Sequence, residues 1–235
     1  MKKIPELSVF FPFWNEQENI RNVVEKAIPV VKKIARTWEI ILIDDGSTDD
    51  TLKIGENLVR KYPNLRLIKH FPNRGYGSAL REGLKSAKYN LVVFTDGDGQ
   101  FDFSEINKFL SKINTYDIVI GFREKRQDSF VRHILMLYLK IHDFILFGFN
   151  FKDIDCGFKL LKKNAIEMIM PLKSEGAMIT TEILAKAKKN KLKIAEVGVH
   201  HFPRLHGIQS GANLRVLVRA FRESLWLWQE LHKGI

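Results

Sequence analysis

The sequence predicts an α/β fold built on a doubly wound, mostly parallel β-sheet with helices on both faces. Short apolar runs alternate with segments of helical length, and the runs end in clusters of polar residues and glycines. Parallel strands that are covered on both faces read as nearly continuous apolar runs. Strands that alternate with helices of this length are typical of a doubly wound sheet.

Five apolar runs are predicted to be strands. They occupy residues 7–11, 39–43, 65–69, 91–95 and 117–121. The three helices between the first four strands are expected to end near Ala35, Tyr62 and Ala87, and Ser47 or Thr48 is a suitable cap for the second. Ligands of such sheets bind beyond the carboxyl ends of the strands, where the polar clusters of this chain fall.

The composition is that of a globular protein with charged partners. At 235 residues and 45% hydrophobic, the chain is long enough for one domain with a large core. The net charge of +11 favours an anionic partner: nucleic acid, a membrane surface or a phosphorylated substrate. A single cysteine, Cys156, excludes a disulfide framework and fits a reducing compartment. No secretory signal is expected, because Pro5 and Glu6 interrupt the N-terminal segment.

The segment 91–103, LVVFTDGDGQFDF, is the most informative part of the chain. Asp96 and Asp98 are two residues apart after an apolar strand, so their side chains point the same way. With the amide of Gln100, these carboxylates suit a Mg²⁺ or Mn²⁺ ion that also holds phosphates. The alternative is an acidic turn between a strand and a helix.

Two later segments are strongly apolar. Residues 134–151 are interrupted by Lys140, His142 and Asp143, and a spanning helix needs roughly 20 predominantly apolar residues. Residues 214–231 repeat apolar side chains at helical spacing, beside Arg215, Arg219 and Arg222. Such a helix lies in a membrane interface or docks on the protein's own core. We therefore expect a domain over residues 1–212 and an amphipathic helix over 213–235.

Six motifs occur in a recognisable order. PFWNE, DDGSTDDT, NRGYGSALREG and DGDGQ are followed by DCGFKLLKK at 155–163 and HHFPRLHGIQSG at 200–211. This order, over about residues 6–212, resembles the family 2 glycosyltransferases with a GT-A fold. Within them it is most similar to the branch of dolichol-phosphate mannosyltransferases and polyprenyl-phosphate glycosyltransferases. Trp14 stands where this branch usually has Tyr, and Gln209 and Ser210 replace its usual Ser-Lys.

The resemblance implies a nucleoside diphosphate sugar as donor, and Mg²⁺ or Mn²⁺ held by Asp96, Asp98 and Gln100. The donor-binding residues that it implies are Pro12, Trp14, Glu16, Asp44, Asp45, Ser47, Gly77 and Asp96. Two alternatives remain open. The first motif also reads as a strand-end turn with a helix cap, and residues 73–78 also read as a glycine-rich start of a helix.

The resemblance also implies a polyprenyl or dolichyl phosphate as acceptor, with Arg123, Arg132 and Arg204 on its phosphate. A phosphate monoester is already anionic and needs mainly positioning and cationic groups, so the catalytic residues expected are Asp98, Gln100, Arg123 and Arg204. The alternative for each arginine is a solvated surface charge.

The expected activity is thus an inverting transfer at the cytoplasmic face of a membrane, with a partner protein that carries transmembrane helices as a further expectation. A rival reaction uses a sugar hydroxyl as acceptor and needs a general base such as Glu182. Nucleic acid is not an expected partner, because the sequence has no recognisable nucleic-acid-binding motif.

Overall fold

The computed structural model describes residues 3–124, 144–206 and 214–232. The strands are β1 (Ile4–Phe13), β2 (Ala35–Asp44), β3 (Leu65–Lys69), β4 (Leu91–Phe94), β5 (Ile118–Arg123), β6 (Lys159–Lys162) and β7 (Ile194–Val199). The helices are α1 (Ile20–Ile34), α2 (Thr51–Lys61), α3 (Tyr76–Ser86), α4 (Ile106–Leu110), α5 (Lys163–Ile169), α6 (Ile179–Lys189) and α7 (Leu214–His232).

One seven-stranded sheet organises the described residues, in the order β3-β2-β1-β4-β6-β5-β7. β6 runs antiparallel to its neighbours β4 and β5, and the other pairs are parallel. The predicted α/β class and the five predicted strands are confirmed. β6 and β7 were not predicted, because β6 is a four-residue strand with lysine at both ends and β7 follows a lysine-rich segment.

Two apolar layers enclose the sheet. Val9 and Phe11 of β1 face the layer under α1 and α4, and Phe10 between them faces the layer under α3 and α6. This alternation is the period of two that a strand imposes on its side chains. Burial of both faces explains why the central strands are almost entirely apolar.

The parallel central strands bring the candidate site residues to one edge. Phe13 at the end of β1 pairs in register with Asp44 at the end of β2, and β4 runs parallel to β1 on its other side. Gly97 lies so close to β1 that an added Cβ would be 2.4 Å from the Phe13 ring. The loop after β4 therefore needs glycine there in order to lie beside the other strand ends.

Helix α7 docks on the domain and also exposes apolar side chains. Leu227 is fully buried in the layer under α6, whereas Leu225 and Trp228 are 40% and 39% exposed. One face of α7 therefore packs on the protein's own core. Among the described helices, none is both long and apolar enough to cross a bilayer. Residues 134–143 of the first apolar segment lie outside the described residues.

Candidate active site

Asp96 is a partly buried carboxylate at the strand edge that is held from two sides. The Tyr76 hydroxyl donates a 2.7 Å hydrogen bond to its Oδ1. On its other side lies Gly157, where an added Cβ would be 2.1 Å from Asp96 Oδ2. Burial raises the pKa of Asp96 above its ordinary value. The side chain is thus held in one position between α3 and the segment that precedes β6.

Asp98 lies beside Asp96 and completes an acidic pair. Its Oδ1 accepts a hydrogen bond from the backbone N–H of Gln100 at 3.0 Å. Burial, followed by the negative charge of Asp96, raises the pKa of Asp98 to about 7. Two neighbouring, partly buried carboxylates are unfavourable when both are charged unless a cation offsets their repulsion.

The acidic pair fits a divalent cation that is shared with a phosphorylated ligand. Among the described residues, no group of three or more His, Cys, Asp and Glu side chains is placed to hold a metal. Mg²⁺ is commonly bound by one or two carboxylates, with phosphate oxygens and water as its other ligands. Asp96 and Asp98 have the chemistry of such a half-site, and a substrate would complete it.

Gln100 joins the acidic loop to the segment after β7. The side-chain Nε2 of Gln100 donates to the Phe202 carbonyl at 2.8 Å, and the backbone carbonyl of Gln100 accepts from the Phe202 N–H at 2.8 Å. The next residue, Phe101, forms an antiparallel bridge with His201. The structure therefore gives Gln100 a clear positional role, and its role as a metal ligand stays a prediction.

Arg204 brings a cation to the acidic pair. Its guanidinium forms an ion pair with Glu16, and its Nη1 lies 3.5 Å from Asp98 Oδ2. The Asn19 amide donates to the other oxygen of Glu16 at 2.6 Å. Burial raises the pKa of Glu16, although the hydrogen bond from Asn19 and the charge of Arg204 both lower it. The predicted residues Glu16, Asp98 and Arg204 thus meet at one place.

Asp44 and Asp45 have different surroundings. Asp44 is buried, and none of the described residues donates a hydrogen bond to its Oδ1. Burial raises the pKa of Asp44, and its Oδ2 accepts a 3.3 Å hydrogen bond from the Ser47 N–H. Asp45 is instead bonded to the loop after β3, through His70 Nδ1 at 2.7 Å and the Gly75 N–H at 2.8 Å. Asp44 is therefore the better-placed acceptor for a ligand, and Asp45 shapes the loop.

The remaining residues of the predicted donor site surround these carboxylates. Trp14 is half exposed just after β1, and Pro12 within β1 is buried. The Ser47 hydroxyl accepts a hydrogen bond from the Asn15 N–H at 2.9 Å. The Gly77 N–H donates to the Glu175 carbonyl at 2.8 Å. Gly77 thus lets α3 approach residues 174–176, and its predicted donor contact is not tested.

Of the other predicted phosphate-binding arginines, Arg123 is already paired. It forms a two-pronged ion pair with Asp153, through Nε at 2.6 Å and Nη2 at 2.8 Å. Burial alone lowers the pKa of Arg123, but the hydrogen bonds and charge of Asp153 reverse the effect and raise it. Arg132 lies outside the described residues. Arg204 is therefore the arginine that forms an ion pair with a member of the acidic pair, and the charge of Arg123 also lowers the pKa of Asp96.

Glu182 has no accessible oxygen for the role of general base. The side chain is fully buried, and it accepts hydrogen bonds from the N–H groups of Lys173 and Ser174 at 3.0 and 2.7 Å. Lys186 Nζ lies 2.8 Å from the same carboxylate. These partners show that Glu182 holds the segment before α6 in place.

Sequence reasoning missed two residues that fix Asp96. Tyr76 lies in the motif NRGYGSALREG, and Gly157 lies in DCGFKLLKK. Nearby, Lys159 is fully buried, and its ammonium donates to the carbonyls of Ile154 and Cys156. The motifs pointed to these segments, but only the fold shows which of their residues contact the carboxylate.

The chain belongs to glycosyl transferase family 2, whose sequence model matches residues 8–169. It is 37% identical to the dolichyl-phosphate beta-glucosyltransferase of Dictyostelium discoideum, over 83% of this chain and 65% of that protein. It is 35% identical to the enzyme of the same name from Saccharomyces cerevisiae, over 82% of this chain and 66% of that protein. The chain thus spans slightly less than two thirds of these relatives, and the predicted family and branch are confirmed.

Solved structures confirm the GT-A fold. Glucosyl-3-phosphoglycerate synthase from Mycobacterium tuberculosis, in complex with phosphoglyceric acid, superposes with a TM-score of 0.70 at 20% identity, over 97% of this chain and 80% of that one. The same enzyme with Mn²⁺, uridine diphosphate and glucosyl-3-phosphoglycerate gives a TM-score of 0.67 at 20% identity, with the same coverage. At this identity the similarity shows the fold alone.

Proposed function

We propose that this protein transfers a sugar, with inversion, from a nucleoside diphosphate sugar to a polyprenyl or dolichyl phosphate. The observation that carries the proposal is the position of Arg204 beside Asp98 and Glu16, next to the partly buried Asp96. The names of the relatives from Dictyostelium discoideum and Saccharomyces cerevisiae support glucose as the sugar and dolichyl phosphate as the acceptor.

Asp44 is the residue we assign to the base of the donor. Its buried Oδ1, without a partner among the described residues, suits one N–H group of a bound base. Uracil offers a single ring N–H, whereas guanine offers an N–H and an amino group side by side. One unpartnered oxygen therefore favours uridine, and the half-exposed Trp14 provides an aromatic surface nearby.

Asp96 and Asp98 would hold the Mg²⁺ or Mn²⁺ ion, which supplies Lewis acidity at the departing diphosphate when it is bound. The protein's contribution is to keep both carboxylates in place before the substrate arrives. Tyr76 and Gly157 fix Asp96, and the Gln100 N–H fixes Asp98. Such preorganisation lowers the barrier because the side chains need not rearrange during the reaction.

The acceptor phosphate needs a cation more than it needs a base. A phosphate monoester is anionic at neutral pH, so it attacks the anomeric carbon directly, and a single displacement inverts the configuration there. Arg204 would neutralise and orient this phosphate, for which a guanidinium is well suited. The engaged carboxylate of Glu182 argues against the rival reaction with a sugar hydroxyl.

The proposal also places the protein at the cytoplasmic face of a membrane, where a polyprenyl phosphate would be available. Support comes from the net charge of +11 and from the exposed Leu225 and Trp228 of α7. A basic chain with exposed tryptophan and leucine suits an anionic interface. A partner protein with transmembrane helices would hold the enzyme there more firmly.

A transfer assay tests the function directly. The purified protein is incubated with Mg²⁺ or Mn²⁺ and a panel of UDP- and GDP-sugars, with and without a short polyprenyl phosphate. We expect a metal-dependent, lipid-phosphate-linked sugar from UDP-glucose, its loss in Asp98→Asn, and its retention in the exposed control Asp50→Asn. Transfer to a soluble sugar instead would establish the rival reaction, and full activity of Asp98→Asn would refute the metal assignment.

A further inference from the structure

A cavity of about 510 Å³ lies between α1 and the segments that pair beside the acidic loop. Its walls are mainly apolar and include six large apolar side chains: Phe11, Val23, Phe101, Phe103, Phe202 and Leu205. Three charged residues also line it, the basic Lys26 and the acidic Asp96 and Asp102. A concave, mainly apolar space of this size is in the range that binds small ligands.

The segment after β7 has two chemically different sides. Arg204 turns towards Glu16 and Asp98, while its neighbours Phe202 and Leu205 line the cavity. Leu205 is 83% exposed and Phe202 is 48% exposed, which leaves apolar surface uncovered next to the candidate site. A ligand that satisfies both sides has an anionic head and a hydrocarbon tail.

The cavity also reaches the acidic loop. Thr95 and Asp96 form part of its wall, and Thr95 is only 2% exposed. None of the described residues forms a hydrogen bond with the buried hydroxyl of Thr95. Buried hydroxyls normally have a partner, so this one is available to an oxygen of a ligand. By exposure, Thr95 marks the inner end of the cavity and Leu205 marks its opening.

We propose that this cavity binds the first isoprene units of the acceptor, next to its phosphate. The phosphate lies at the inner end, beside the Thr95 hydroxyl and next to the acidic loop whose Asp98 pairs with Arg204, and the hydrocarbon leaves past Phe202 and Leu205. This inference rests on the proposed function and adds to it the place where the lipid is recognised. It makes the affinity for the acceptor depend on residues that have no part in donor binding.

The test measures binding of citronellyl phosphate, a two-isoprene monophosphate, to the whole protein by calorimetry. Inorganic phosphate and citronellol are titrated in parallel in order to separate the head from the tail. Leu205→Gln removes apolar surface at an exposed position, and Val23→Trp fills the cavity. Met168→Gln, at a half-exposed position on α5, is the matched control.

We expect Leu205→Gln to weaken citronellyl phosphate binding by roughly 5-fold, because apolar contact area is lost. Val23→Trp should weaken it by at least about 10-fold, because the larger side chain occupies the space of the ligand. UDP binding in both variants, and citronellyl phosphate binding in Met168→Gln, should match the wild type. The proposal is overturned if citronellyl phosphate does not bind the wild type, or if both cavity variants bind it with wild-type affinity.

A wrong cavity assignment and a wrong proposed function give different experimental results. If Leu205→Gln and Val23→Trp both form lipid-linked product with the wild-type KM for the acceptor, the function stands and the cavity assignment is wrong. If the wild type forms no such product but binds citronellyl phosphate in a manner sensitive to both variants, the cavity assignment stands and the proposed transfer is wrong.

Discussion

The hydroxyl of Tyr76 donates a 2.7 Å hydrogen bond to Asp96 Oδ1, which ties the first residue of α3 to the carboxylate that follows β4. Tyr76→Phe removes this bond and leaves the ring. Hydrogen bonds to charged groups contribute about 1.5–3 kcal/mol, so we expect the turnover rate to fall by roughly 10- to 100-fold and the Mn²⁺ requirement to rise. Steady-state kinetics over a range of Mn²⁺ concentrations measures both quantities.

The control for this variant is Tyr62→Phe, which removes a 3.2 Å hydrogen bond to Glu25 outside the candidate site. It should keep wild-type kinetics. A wild-type turnover rate and metal requirement in Tyr76→Phe would show that the tyrosine does not position Asp96.

Gly157 is the second constraint on Asp96, since an added Cβ would lie 2.1 Å from Asp96 Oδ2. Gly157→Ala must therefore displace the carboxylate, and we expect activity to fall by at least about 100-fold, the order of loss that misplacement of a reacting group causes. The control is Gly55→Ala in α2, where the nearest atom is the flexible end of Leu67 at 3.3 Å. Circular dichroism melts distinguish lost activity from lost fold, and an active Gly157→Ala would contradict the close packing described.

The central part of the fold could be predicted because its signals are local. Strands buried on both faces are apolar without interruption, and their polar ends fall at one edge of a parallel sheet. That rule was sufficient to group Asp44 with Asp96. β6 carries no such signal, because it has four residues and its buried Lys159 satisfies its charge through backbone carbonyls.

The details of the site depend on contacts between distant parts of the chain. Arg204 and Glu16 are separated by 188 positions, and the sequence around either residue gives no signal that the two are partners. The same holds for Asp45, which looks like a ligand of the donor in its motif and is bonded to the loop after β3 in the structure. Patterns identify the segments that meet at an edge, but side-chain partners follow from packing.

Glu182→Gln separates the two candidate reactions. The buried carboxylate accepts hydrogen bonds from two backbone N–H groups and an ion pair from Lys186, so its neutralisation should cost about 1.5–3 kcal/mol of unfolding free energy. We expect a lower melting temperature with a turnover rate within about 3-fold of the wild type, since the acceptor phosphate needs no base. Denaturant unfolding and kinetics on the same preparation test this.

The control is Glu167→Gln, which changes an exposed carboxylate on α5 and should leave the melting temperature and the turnover rate unaltered. If well-folded Glu182→Gln instead turns over at least about 100-fold more slowly, the loss is in the range typical of a missing general base and would favour the hydroxyl acceptor.

The exposed side of α7 provides a test of membrane association. Leu225→Gln combined with Trp228→Gln replaces two exposed apolar side chains and leaves the buried Leu227 in place. Each apolar side chain that enters an interface contributes up to about 1.5–3 kcal/mol, so binding to anionic vesicles should weaken by at least about 10-fold. Sedimentation with vesicles measures it, and Met168→Gln is the control. Unchanged sedimentation of the double variant would exclude this face as the contact.

Asp44→Asn tests the assignment of Asp44 to the base of the donor. The negative charge of Asp44 would bind the ligand, but it destabilises the folded protein while no ligand is bound. Burial raises the pKa of Asp44, so the folded protein binds this proton more tightly than the unfolded chain. The stability that this group contributes is therefore complete below the ordinary aspartate pKa and is lost as the pH rises through the raised value. The neutral variant should be more stable than the wild type at pH 7, and the difference should disappear near pH 3.

Donor binding should change in the opposite direction. A charge-assisted hydrogen bond to a base N–H is replaced by a neutral one, so we expect UDP to bind Asp44→Asn about 10-fold more weakly. Melting temperatures at pH 3 and pH 7, together with calorimetry of UDP in the presence of Mn²⁺, measure the two effects on one pair of proteins. A variant that gains stability at pH 7 but binds UDP normally would place the base elsewhere, since the gain shows only that the charge is buried.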